Sequence, residues 1–170
     1  YISGSTGSPT LTDCVISNNI SLGVDYGGGG VYIYNTTTPA FTDCTITGNT
    51  AVYGGGGIMF EYNPVSTFTN CTISGNSTTG LGGGIMLYPE SSPTFTGCTI
   101  NQNSADVRGG GIHIEETSNP TFTSCMIAGN SAGTNGGGLV VNNLSNLTIT
   151  NSIISGNDAD NNGGAMRINQ

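Results

Sequence analysis

The chain has 170 residues, of which 29 are glycine, five cysteine and only 7% charged. Arg108 and Arg167 stand against ten carboxylates for a net charge of −8, which removes the basic face that nucleic acid or an anionic membrane surface would require. No apolar run approaches the roughly 18 residues of a membrane span, and no signal peptide is visible, so membrane insertion is not expected.

The chain opens at Tyr1 without a methionine, and so reads as a processed product or a part of something longer. Tyr1-Ile-Ser3 aligns with Ile58-Met-Phe60, and Met166-Arg-Ile168 closes the chain on the same kind of strand. Between them one unit recurs. Its clearest copy is Pro39-Ala-Phe-Thr-Asp-Cys-Thr-Ile-Thr-Gly-Asn49, followed by Gly54-Gly-Gly-Gly57 and Ile58. Aligned on cysteine, the copies give Cys14, Cys44, Cys71, Cys98 and Cys125, with Ser152 in the sixth place, and the last four steps are 27 residues each. A second column is Asn19, Asn49, Asn76, Asn103, Asn130 and Asn157; the first copy carries three extra residues between Asn19 and Val31. A fixed period of this length implies stacked units rather than one central core.

Each unit has two β-prone runs, such as Thr67 to Ile73 and Ile85-Met-Leu87, separated by turn-forming Asn, Gly, Ser and Pro. Helix formers are scarce, and no stretch has 3.6-residue spacing. The spacing Phe41-x-x-Cys44-x-Ile46-x-x-Asn49 also fits a leucine-rich repeat strand, but glycines and a second strand follow where that repeat needs a helical return. The expectation is therefore all-β: a right-handed parallel β-helix solenoid of about six coils of 27 residues, forming a single domain over residues 1–170. Six coils at about 4.8 Å each rise about 29 Å. Neither end carries a polar capping segment, which points to caps that were removed or lie outside this sequence, or to self-association through the end coils into a head-to-tail filament.

Stacking turns each column into a ladder. Phe41, Phe68, Phe95 and Phe122, flanked by Leu11 and Ile149, fill one inner corner. The cysteines and Ile16, Ile46, Ile73, Ile100, Ile127 and Ile154 line the next wall. The cysteines read as buried free thiols, because all share one position and their number is odd. Asn49, Asn76, Asn103, Asn130 and Asn157 read as an amide ladder at a turn. The glycines serve positive φ or close backbone packing; no Lys-Ser/Thr follows them, so they are not a phosphate cradle.

The Gly-Gly-Gly-Ile and Phe-x-x-Cys-x-Ile-x-x-Asn elements resemble the repeats of bacterial polymorphic outer-membrane proteins and, more broadly, of large bacterial surface proteins. Gly163-Gly-Ala-Met166 is nearest to that family's first tetrapeptide. Phe68-Thr-Asn70-Cys71 departs from its Phe-x-x-Asn tetrapeptide, with the asparagine one place early. The resemblance covers nearly the whole chain. It implies a secreted or surface-attached module, adhesive or structural. A carbohydrate or cell-surface partner and no cofactor are expected beside it.

Three surfaces are candidates for more. Tyr32, Tyr34, Met59, Met86, Tyr88, His113 and Glu115 fall in the outward columns after the glycine corner and form a candidate interaction stripe. In the same columns Glu61 and Glu115 lie two coils apart, a carboxylate pair of the kind a polysaccharide lyase or hydrolase uses. No Asp-Asp pair, Gly-His-Gly motif or basic cluster accompanies it, so no enzyme is expected. Thr67, Thr69, Thr94, Thr96, Thr121 and Thr123 form a flat array that resembles the ice-binding face of β-helical antifreeze proteins, although threonine is also simply a good exposed strand residue. Asn35 and Asn143 are the glycosylation acceptor sites expected in outer turns.

Overall fold

The computed structural model describes residues 1–3, 8–23 and 27–169. Among them there is no helix, and every strand belongs to one of four parallel sheets. One sheet has seven strands, from Ile2–Ser3 to Met166–Asn169, and the other three have six each. The chain is a solenoid of stacked coils.

One coil shows how the sequence makes the turns. Thr67–Thr69, Thr72–Ser74, Ser77–Thr78 and Ile85–Leu87 each join a different sheet. Each pairs in register with the residue 27 places on: Thr67 with Thr94, Ile73 with Ile100, Ser77 with Ser104 and Ile85 with Ile112. The run from Thr67 to Ile73 is thus two strands rather than the one expected. Asn70 breaks it at φ 53°, a left-handed conformation that turns the chain onto the next wall. Asp13, Asp43, Gly97, Ser124 and Asn151 do the same in the other coils. The opening strand also sits one residue off its expected alignment. Ile2 pairs with Ile33 and so shares the inward column of Phe60, whereas the alignment above had put Ile2 with outward-facing Met59. Of the extra residues in the first coil, Val24, Asp25 and Tyr26 lie outside the described residues.

The core runs the length of the stack. The rings of Phe41, Phe68, Phe95 and Phe122 stack at 4.5, 4.8 and 4.7 Å, within 16° of parallel. Phe60 meets Phe68 and Phe95 edge-on at 5.8 and 6.3 Å, so the column is closed by the other favoured aromatic geometry. Ile46, Ile73, Ile100 and Ile127 fill the adjoining wall with no exposed surface. Burying each such side chain contributes roughly 1.5–3 kcal/mol, which outweighs the entropy cost of so many glycines in the turns.

A further layer lies outside the seven-stranded sheet. Gly54, Leu81, Arg108, Asn135 and Asn162 bridge one another in parallel, coil to coil, along the segment that leads into the glycines. This segment presses on the sheet's outer side: a Cβ on Gly54 would stand 2.2 Å from Met86 Sδ, and one on Gly136 would stand 2.3 Å from Val140 Cγ2. The seven-stranded sheet is therefore covered on both faces in its middle.

Candidate functional site

The covering segment narrows the expected interaction stripe. Met59, Met86 and His113 are fully buried under it, as is Val140, because the glycine corner folds back over the column that strand alternation alone turns outward. What remains at the surface is a row of tyrosines. Tyr1 and Tyr32 have ring centroids 5.3 Å apart, Tyr32 and Tyr34 6.0 Å, and Tyr34 and Tyr62 5.4 Å. Tyr88 lies farther along the column of Tyr34, half-buried.

The two glutamates of this column differ sharply in setting. Glu61 is only 1% exposed and accepts a hydrogen bond from the Tyr32 hydroxyl. Burial raises its pKa above the ordinary 4.5, against the lowering effect of that hydrogen bond, and Tyr32 is in turn raised by its own burial and by Glu61. Glu115 sits two coils away, with Oε2 3.2 Å from His113 Nε2 and Oε1 accepting from Asn143 Nδ2 at 3.1 Å. The hydrogen bond from His113 holds its pKa below the usual value, and Arg108 acts in the same direction. The carboxylates are therefore not a matched surface pair; Glu61 is enclosed beneath Tyr32.

Glu61 gives a testable pH dependence. Its folded pKa lies above its unfolded one, so between the two the folded state binds more protons, and stability falls as pH rises through that window. Glu115 acts oppositely, with its contribution full above the unfolded value and lost as pH falls through the folded one. Replacing Glu61 with Gln keeps an acceptor for Tyr32 and removes the buried charge. Its melting temperature is expected to exceed that of the parent at pH 7, with the gap closing as both are brought toward pH 4.

Beside the tyrosine row, one and two residues beyond the outward column, a groove of about 650 Å³ crosses four coils. Tyr62, Pro89, Glu116 and Asn143 form one of its files, and Glu90, Thr117 and Leu144 the next. Apart from Asn143, expected as a glycosylation acceptor, none of these residues stands out in the sequence. The signal was a run of turn positions at which unrelated residue types recur at the same two places of the period.

The threonines stand on one sheet in two straight files, Thr67-Thr94-Thr121-Thr148 and Thr69-Thr96-Thr123-Thr150. On the wall between the cysteines and the asparagines, each amide closes one link. Asn103 Nδ2 donates to Asn130 Oδ1 and to Ile73 O, and Asn103 Oδ1 accepts from Asn76 N and Nδ2, all at 3.0 Å.

All five cysteines are free, Cys14 half-buried and the rest buried. Cys71 and Cys98 direct their thiols to the carbonyls of Thr69 and Thr96, and burial raises the pKa of Cys44. A thiol reagent is expected to modify Cys14 quickly in the folded protein and the other four only on unfolding. No group of three or more His, Cys, Asp or Glu among the described residues is placed to hold a metal. Asn35 and Asn143 are exposed, but Thr37 and Ser145, the hydroxyl residues of their acceptor motifs, are buried.

A family model described as a right handed beta helix region matches residues 1–168. No curated protein and no solved structure matches.

Proposed function

Since the chain belongs to the right-handed β-helix family, we propose that it is a rigid, non-catalytic structural and adhesive module of an extracellular or cell-surface protein, built to stack coil on coil. The observation that carries this is the one-way asparagine ladder. Asn19 N and Nδ2 donate to Asn49 Oδ1, Asn49 donates to Asn76, and each link repeats that direction as far as Asn157. A coil added to either end joins in one polarity only, which is the geometry of a head-to-tail filament. Leu11 and Ile149 continue the phenylalanine column at its two ends, so an added coil meets the same apolar corner.

Sedimentation and electron microscopy at rising concentration test the assembly. Stacked rods or filaments that disappear in an Ile149→Lys variant are expected; a single monomer-sized species at every concentration would overturn the filament reading. A second reading is favoured by one observation, the two uncharged threonine files in parallel register. Such a flat array suits ordered water, and thermal hysteresis that is lost in Thr96→Lys would establish ice binding.

A further inference from the structure

We propose that the groove beside the tyrosine row binds a linear oligosaccharide of free-amine sugars lying along the solenoid axis, one ring per coil, with Tyr62 stacking on a ring face and Glu90 and Glu116 taking the ammonium groups. The proposal deepens the adhesive part of the reading above by naming the chemistry that is bound.

Shape gives the first argument. The groove follows the axis, and successive coils rise about 4.8 Å, close to the length of one pyranose unit. From Tyr62 to Asn143 the same place of the period is sampled in four consecutive coils, so a linear saccharide keeps step with the coils ring by ring; successive rings of a β-1,4 chain are flipped, so like-facing groups return at every second coil. An extended peptide fits worse. Its like-facing side chains recur about every 6.7 Å, out of step with the coils.

The lining gives the second. Tyr62 is 45% exposed, and its ring is held edge-on against Tyr34 at 5.4 Å, so an aromatic platform stands ready at one end. Sugar C–H faces pack on such rings, and the tyrosine row extends the platform toward Tyr32 and Tyr1. Leu144 supplies a second apolar contact at the other end, 73% exposed.

Charge selects the sugar. Glu90 and Glu116 lie between the two apolar ends, with Glu90 positioned by Asn63 Nδ2 at 3.2 Å. Neither arginine lines the groove, and the chain as a whole is at −8, so uronic acids are repelled and ammonium groups attracted. The backbone is also preset. Tyr62, Glu90, Glu116, Thr117, Asn143 and Leu144 all hold φ between 50° and 60°, a conformation that non-glycine residues keep only where their surroundings impose it. A backbone held in this way loses less freedom on binding.

The test is calorimetric titration of the folded protein with a β-1,4-linked glucosamine tetramer at low salt, at a pH where the amines are charged. The fully N-acetylated tetramer, a galacturonate tetramer and tetralysine serve as comparators. Binding of the glucosamine tetramer that weakens with added salt is expected, with the acetylated form at least about tenfold weaker and no binding of galacturonate. Tyr62→Ala and the double variant Glu90→Gln/Glu116→Gln are each expected to weaken it about tenfold or more, while Tyr62→Phe retains it. The glutamines replace side chains that face the groove, and the double variant should keep the parent melting curve. No binding of the glucosamine tetramer, equal binding of its acetylated form, or equal binding of tetralysine would overturn the proposal. Coil stacking is read by sedimentation without sugar, so either reading can fail alone.

Discussion

Replacing Gly83 with Ala is expected to destabilise the protein by on the order of 4 kcal/mol or more, whereas Gly75→Ala costs about 1–2 kcal/mol. The two glycines serve different ends. Gly75 sits at φ 62° in the turn before the asparagine ladder, and the nearest atom a Cβ there would meet is Thr47 Oγ1 at 3.9 Å. Its substitution carries only the cost of a left-handed alanine. At Gly83 the φ is ordinary, but a Cβ would stand 2.3 Å from Ser104 O and 2.4 Å from Gly110 O. Both are backbone atoms of the neighbouring coil, and Gly83 N donates to Gly109 O at 3.0 Å, so relief requires opening the stack. At roughly 2–4 °C per kcal/mol for a chain of this size, the melting temperature should fall by about 10 °C or more for Gly83→Ala and by only a few degrees for Gly75→Ala. Equal effects of the two would refute the close-packing account.

The period makes most of the fold legible in the sequence itself. In-register stacking repeats the same contact in every coil, so residues that carry those contacts repeat too: the phenylalanines, the isoleucines after the cysteines, and the asparagines. The corner after each Thr-x-Thr strand was hidden because its requirement is a backbone angle. Asp43, Asn70, Gly97 and Ser124 share a left-handed φ and little chemistry. Burial of Met59, Met86 and His113 was hidden for a related reason. Alternation tells which side of a strand a residue faces, and nothing in it announces that Gly54, Leu81, Arg108 and Asn135 will lie across that side. The groove was hardest to read, since a site built from Tyr62, Glu90, Glu116 and Leu144 is made where the copies differ, and comparing copies rewards only what they share.

Asn103→Ala is expected to cost about 4 kcal/mol, because it deletes both sides of a fully buried link. The wild-type side chain is 1% exposed and takes part in four hydrogen bonds, two given and two accepted. Without it, Asn76 N–H and one Asn76 amide hydrogen lose their acceptor, and Ile73 O loses a donor. None of these groups can turn to water, since Asn76 and Ile73 have no exposed surface. Each buried group left unpaired costs about 1–3 kcal/mol. Asn157 has a partly buried side chain, but its replacement strands the same kinds of group, Asn130 N–H, one Asn130 amide hydrogen and Ile127 O, on residues no more than 1% exposed, so Asn157→Ala should cost a comparable amount. The ladder also predicts non-additivity. In Asn76→Ala/Asn103→Ala one of the two donors stranded by the second change, the Asn76 side-chain amide, has already gone with the first, so the double variant should be more stable than the sum of the single losses, by about 1–3 kcal/mol in a denaturant-melt cycle. Simple addition would mean that each asparagine acts alone, as a local turn former, and that the amides do not hold neighbouring coils together.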